Sequence, residues 1–282
     1  MTSWTIRDRV LSTADHTLIM GVVNTTPDSF SDGGRYQSSA AAIDRGLALW
    51  EDGADIIDVG GESTRPGAEP VSAEEETARV VPIVARLVEA GTVVSIDTMK
   101  PQVAAAAIDV GAQIVNDVTA LADSAMAEIC AEAGVGVVLM HMKGEPRTMQ
   151  DDPHYDNVQA EVAAFLEERA RAAETAGVGR SSICVDPGIG FGKAYDHNLQ
   201  LLGGLGWLTV AGYPVLVGTS RKGFLGAILA GAGKETRPHE RDPATAATVA
   251  LAIAGGASIV RVHNVSHALQ AARTADAIVR AS

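Results

Sequence analysis

Eight short aliphatic runs recur along the chain: LIMGVVN, ADIIDVG, TVVSIDT, AQIVNDV, GVGVVLMH, SICVDPG, YPVLVGTS and SIVRVHNV. Most of their residues are β-branched and apolar on both faces, as strands of a parallel sheet covered by helices must be. Between them lie Ala-rich amphipathic segments, among them Ala40–Glu51, Glu74–Glu89, Pro101–Val110, Val158–Thr175 and Val265–Arg280, whose period predicts helices. Gly53, Gly91, Gly111, Gly134, Gly177 and Gly256 each fall shortly before a strand, where the end of a helix needs a left-handed residue. Strands alternating with helices, without any linker-like shift in composition, predict a single α/β domain of the (β/α)8 TIM-barrel type. A doubly wound open sheet is the alternative that periodicity leaves standing.

The polar residues at the strand ends direct attention to one mouth. Reading them off gives Asn24, Asp58, Asp97, Asn116, His141, Asp186 and Ser220, then Arg261 and His263 together. In a barrel these ends converge, and the loops that follow them build the active site. Arg261 and His263 are one residue apart and so share a strand face, with Val262 on the other. Arg65, Arg221, Lys222, Arg261 and His263 concentrate positive charge after the second, seventh and eighth strands, where barrels commonly bind phosphate. Asp97, Asn116 and Asp186 lie across from them, and two carboxylates and an amide suit a flat heterocycle rich in N–H donors and carbonyl acceptors. The stretch NTTPDSFSDGG after the first strand has neither helical nor strand period and carries Phe30, one of only four phenylalanines in the chain.

Composition narrows the partners. The 282 residues carry a net charge of −13, which argues against nucleic acid or an anionic membrane as the main partner. Cys130 and Cys184 match no metal or redox spacing and read as buried thiols of a reducing compartment. The N-terminal MTSWTIRDRV lacks an apolar signal region, and no apolar run is long enough to span a bilayer, so a cytoplasmic protein is expected. The Gly-rich GIGFGK and GAGKET lack the full pattern of a phosphate-binding P-loop.

Taken in order, MGVVNTTPDSFSDGG, GADIIDVGGESTRPGA, SIDT, IVNDV, LMHMKGEPRTMQ, VDPGIGFGK, GTSRKGFLG and RVHNV resemble the dihydropteroate synthase family. The resemblance runs from about Leu18 to the last helix, so that residues 18–282 would form the pterin-binding barrel and 1–17 an N-terminal extension. It implies an enzyme joining 6-hydroxymethyl-7,8-dihydropterin diphosphate to 4-aminobenzoate with release of pyrophosphate, using Mg²⁺, as a homodimer. Carried over residue by residue, it gives Asp97, Asn116 and Asp186 the pterin edge, with Lys222 holding the pterin from the seventh strand. Arg261 and His263, with Asn24, would bind the diphosphate, and Asn24 would also help to hold Mg²⁺. Thr64, Arg65 and Pro66, with Phe30 and Ser220, would form the aminobenzoate pocket, and Asp32 would help a first-loop lid to close on the hinge of Gly33 and Gly34. The catalytic roles would fall to Asp32, Lys222 and Arg261, and sulfonamides would act as mimics of aminobenzoate.

Two positions depart from the family pattern. Gly223 stands where many relatives have Ser, and Thr25 where a larger aliphatic residue is common. Two other readings compete: a corrinoid-dependent methyltransferase acting on methyl-tetrahydrofolate, and a paralogue that binds pterin without turnover. STRPG, SRKGF and RVH are not expected in the first, and intact Asp32, Lys222 and Arg261 argue against the second.

Overall fold

The computed structural model describes residues 3–25, 35–63, 69–209 and 211–281. Eight parallel strands form the barrel wall: β3 (Leu18–Asn24), β4 (Ile56–Gly60), β5 (Val94–Asp97), β6 (Ile114–Asp117), β7 (Gly136–Met140), β8 (Ile183–Asp186), β9 (Leu216–Val217) and β10 (Ile259–Val262). They pair in the order β8-β7-β6-β5-β4-β3-β10-β9. A parallel bridge from Val185 to Val215 completes the ring, supported by the Val185 N–H donating to the Pro214 carbonyl at 3.0 Å. The open-sheet alternative therefore falls, and the barrel expected from the alternation stands.

Helices α1 (Arg35–Glu51), α2 (Ala73–Glu89), α3 (Pro101–Asp109), α4 (Ser124–Ala133) and α5 (Val158–Thr175) follow the first five barrel strands. After β8 come α6 (Tyr195–Gly203) and the short α7 (Gly206–Thr209). After β9 come α8 (Gly223–Gly231) and α9 (Asp242–Ala254), and after β10 comes α10 (Val265–Arg280). Side-chain oxygens of Ser72, Asp123, Asn157 and Asn264 accept from backbone N–H groups that start α2, α4, α5 and α10. The six glycines expected at helix ends all have positive φ, between 63° and 107°.

Alternation along the strands, hidden by their uniformly apolar look, divides two cores. Ile19, Val23, Ile57, Val59, Ile96, Val115, Val137, Val185 and Val260 face outward and pack beneath the helices. Met20, Ile56, Ile114, Val138, Cys184, Leu216 and Ile259 face inward and fill the lower half of the barrel. Above them most inward positions turn polar: Asp58 pairs in register with Ser95 and Asp97 with Asn116, while Asp186 lies beside the apolar Met140. A filled floor and a polar mouth thus come from one period-2 pattern.

The first residues close the bottom. Strands β1 (Ser3–Ile6) and β2 (Arg9–Ser12) form an antiparallel hairpin. Trp4 and Ile6 are fully buried against the inward-facing core, and the Trp4 indole donates to the Ser182 carbonyl at 2.9 Å. Gly136 makes this possible, because a Cβ there would lie 2.5 Å from the Ile6 side chain.

Candidate active site

The described candidate residues gather at the C-terminal ends of the strands, with small shifts from the sequence reading. Asn24, Asp97 and Asp186 end β3, β5 and β8. Asp58 lies two residues inside β4, which runs on to Gly60, and His141 lies one residue past β7. Strand β9 stops at Val217, so Ser220 sits in the turn beyond it. Phe30, Asp32, Thr64, Arg65 and Pro66 lie outside the described residues.

Arg261 is the hub. Its Nε donates to Asp58 Oδ2 at 2.6 Å and its Nη2 to Asp97 Oδ2 at 2.6 Å. Asp58 Oδ2 also accepts from the Asn116 amide at 3.2 Å, while Asp58 Oδ1 has no hydrogen-bond partner among the described residues. Burial disfavours the guanidinium charge, but Asp58 and Asp97 outweigh it and hold Arg261 firmly protonated. Burial pushes the Asp97 carboxyl up to about 7 against the pull of Arg261. Asp186 accepts the Gly188 N–H at 2.7 Å, and burial lifts its carboxyl to about 6 despite that bond and the nearby Lys222.

Lys222 precedes α8 and makes no side-chain cap, and its ammonium sits 4.1 Å above the Phe191 ring centre. His263 and Ser220 are mutually bound: the Ser220 hydroxyl accepts the His263 N–H at 3.1 Å and lies 3.0 Å from its Nδ1. Arg221 departs from the charge reading of the mouth. Its guanidinium grips Asp242 through two bonds of 2.8 and 2.9 Å, and its backbone is left-handed at φ 61°. That ion pair spends its charge on fixing the turn between β9 and α8. The Thr25 hydroxyl is likewise taken, donating to the Gly60 carbonyl at 3.1 Å. A Cβ at Gly223 would meet nothing within 4 Å, so its missing side chain leaves open space.

Sequence reasoning placed Asp58 at the mouth without giving it a role, and it rejected GIGFGK, which holds Lys193, as a P-loop without giving Lys193 a role. Lys193 is 2 % exposed, and its amine lies 2.9 Å from His141 Nδ1 and 3.0 Å from the Phe191 carbonyl. Burial lowers its pKa to about 7, and burial together with Lys193 lowers that of His141 to about 3. The signal available was the polar strand end for Asp58, and a lysine inside a glycine-rich turn for Lys193. A second cluster tethers α2 to the mouth: Lys100 lies 2.5 Å from both Glu62 and the buried Glu76.

Fold and mouth together define a (β/α)8 enzyme whose mouth gathers carboxylates, an amide and cations at the C-terminal ends of the strands. The chain belongs to the pterin-binding enzyme family, whose profile matches residues 20–263. Its relatives include the dihydropteroate synthase of Escherichia coli K12, 43 % identical over 267 residues that cover 94 % of this chain and 93 % of that one. Among solved structures, a Yersinia pestis dihydropteroate synthase with a sulfonamide drug matches at TM-score 0.92 and 37 % identity, covering all of both chains. A Xanthomonas albilineans dihydropteroate synthase with 4-aminobenzoic acid matches at TM-score 0.90 and 45 % identity, covering 98 % of this chain and 97 % of that one.

Proposed function

We propose that this chain is a transferase of folate biosynthesis, joining 6-hydroxymethyl-7,8-dihydropterin diphosphate to 4-aminobenzoate and releasing pyrophosphate. The observation that supports this reading is the Arg261 guanidinium held against Asp58 and Asp97 beside Asn116, a cation suited to an anion next to groups suited to the edge of a heterocycle. Asp97, Asn116 and Asp186 take the pterin edge, and Lys222 lies over it from the start of α8. Arg261 and His263, with Asn24, take the diphosphate. Ser220 orients the His263 ring and borders the aminobenzoate pocket, to which Phe30, Thr64, Arg65 and Pro66 belong by resemblance. Asp32 closes the first-loop lid in the same reading.

Among the described residues no three His, Cys, Asp or Glu side chains stand together as a metal cluster. Asn24 supplies one amide oxygen, a donor set that fits a Mg²⁺ held mainly by phosphate oxygens and water rather than by a protein cage. When bound, Mg²⁺ would neutralise charge developing on the departing pyrophosphate.

The amine of 4-aminobenzoate is a weak nucleophile, whereas a dihydropterin stabilises a cation on its exocyclic methylene. We therefore favour departure of pyrophosphate before the new bond forms. Arg261 and His263 stabilise the leaving group, and the acidic anilinium formed afterwards sheds its proton without a strong general base.

Two finer readings accompany this one. An open apolar groove of about 630 Å³ between α9 and α10, lined by Leu251, Ala254, Ala271 and Ile278, is where we place the second copy of a homodimer. Leu251 and Ile278 are 64 % and 65 % exposed there, more than large aliphatic residues gain from in an isolated protomer. Cys130 and Cys184 are buried and unpaired, which supports a reducing cytoplasm.

The deciding assay mixes pterin diphosphate with 4-aminobenzoate and follows pyrophosphate and dihydropteroate together. Stoichiometric formation of both is expected. Binding of the pterin without either product would favour the binding-only reading, and methyl transfer from methyl-tetrahydrofolate the corrinoid one.

A further inference from the structure

Of the two carboxylates that bind Arg261, Asp58 is the one closed to solvent. Its side chain is fully buried, whereas those of Asp97 and Arg261 retain 15 % and 23 % of their exposure. One of its oxygens, Oδ2, receives both Arg261 Nε and the Asn116 amide. The other receives nothing among the described residues. A pterin edge arriving from the mouth competes with Arg261 for Asp97, because both approach the same partly exposed carboxylate. It cannot compete for Asp58. Once Asp97 has turned to the pterin, the Nε–Asp58 bond is the remaining tether on the guanidinium, whose other hydrogens make no bond within the described residues. A planar guanidinium held along one edge has its opposite edge aimed, and an aimed edge is what a bidentate grip on phosphate requires.

We propose that Asp58 is a positioning residue of the diphosphate site, anchoring the Nε edge of Arg261 while the pterin displaces its Nη2 from Asp97. The proposal rests on the pterin diphosphate reading above. It adds that heterocycle and anion recognition are joined through one buried oxygen shared by Asn116 and Arg261. Asp58 touches no substrate and acts on the diphosphate through Arg261. Its charge matters more to Arg261 than to Asn116, since only the first bond joins two ions.

The test is Asp58→Asn in the full-length protein, which keeps the shape and one accepting oxygen while removing the charge. Affinities for pterin diphosphate and for free hydroxymethyl-dihydropterin are measured by calorimetry, with thermal melts recording the fold. A loss on the order of tenfold or more is expected for the diphosphate, with the free pterin changed by no more than about threefold. Equal losses for the two ligands would overturn the proposal, because a merely structural aspartate disturbs both alike. If Asp58→Asn alone folds poorly, Arg261→Gln is compared with Asp58→Asn/Arg261→Gln, where a neutral pair replaces the ion pair. Equal diphosphate affinity in these two variants is expected if Asp58 acts through Arg261. A further loss in the double variant would show an independent role and sink the idea. Failure of the wild-type protein to bind pterin diphosphate at all would instead refute the functional reading on which the proposal stands.

Discussion

At the scale of single residues, the two raised carboxyls give pH opposite effects on stability and binding. Burial pushes the Asp97 carboxyl up to about 7 and that of Asp186 up to about 6, against an ordinary 3.8. The folded protein therefore keeps protons that the unfolded chain has lost between about pH 4 and 7, and the stability of the empty protein falls as pH rises through that window. Binding runs the other way, because only the ionised carboxylates accept two N–H donors of a pterin edge. Pterin affinity measured by calorimetry should thus fall as pH drops from 8 to 5, and a flat profile would exclude Asp97 and Asp186 as the acceptors. Arg261→Ala should cost about 3–5 kcal/mol in denaturant unfolding, since it strands the buried Asp58 carboxylate. It should also weaken binding of pterin diphosphate far more than of the free pterin. Gly223→Ser meets open space at the first position of α8, so it should leave stability within about 0.5 kcal/mol or improve it. A lowered KM for aminobenzoate, with the pterin KM unchanged, would place that hydroxyl at the aminobenzoate carboxylate.

At the scale of elements, two devices hold the mouth and the floor. The loops after β7 and β8 are packed backbone against backbone, as a Cβ at Gly188 would lie 1.9 Å from the His141 carbonyl oxygen, and its φ of 66° is left-handed. The Gly188 N–H that this approach aims at Asp186 is one of the groups favouring its ionised form. Gly188→Ala should therefore lower pterin affinity and melting temperature together, whereas a change in neither would mean that the loop relaxes freely. At the opposite end, Trp4 plugs the barrel beneath the inward-facing core. Trp4→Ala should lose about 3–5 kcal/mol of stability. The affinity of the folded fraction for pterin should stay unchanged, because the mouth lies at the other end of the strands. Loss of affinity without loss of stability would be incompatible with this division of labour.

At the scale of the whole molecule, the proposed chemistry and assembly are separately testable. If the bond to pyrophosphate breaks first, single-turnover rates at saturating ring-substituted 4-aminobenzoates should be nearly flat against amine pKa. Slow pyrophosphate release from pterin diphosphate alone should accompany this, as water captures the cation. A steep rise with amine basicity would replace the dissociative route by concerted displacement and leave the synthase assignment intact. For the assembly, sedimentation should give a dimer, and Leu251→Glu with Ile278→Glu should give a folded monomer by placing charge in the apolar groove. An unchanged sedimentation coefficient in that variant would move the interface elsewhere.

The sequence by itself determined the alternation of eight aliphatic runs with helices, the left-handed glycines at helix ends, and the polar ring at the strand termini. These are local properties, set by side-chain period and backbone sterics within a few residues. The order of the motifs also carried the family, and with it Asp97, Asn116, Asp186, Lys222 and Arg261 as candidate site residues. What only the tertiary structure decided was how those residues spend their charges. Arg221 and Arg261 look alike along the chain, yet one is committed to Asp242 in a turn and the other spans Asp58 and Asp97 across the barrel. Asp58 lies 203 positions from Arg261, and Lys193 became notable only through its burial beside His141. Barrel closure brings such positions to hydrogen-bond distance, and burial then fixes the strength of each charge. Neither is written in any local stretch of sequence.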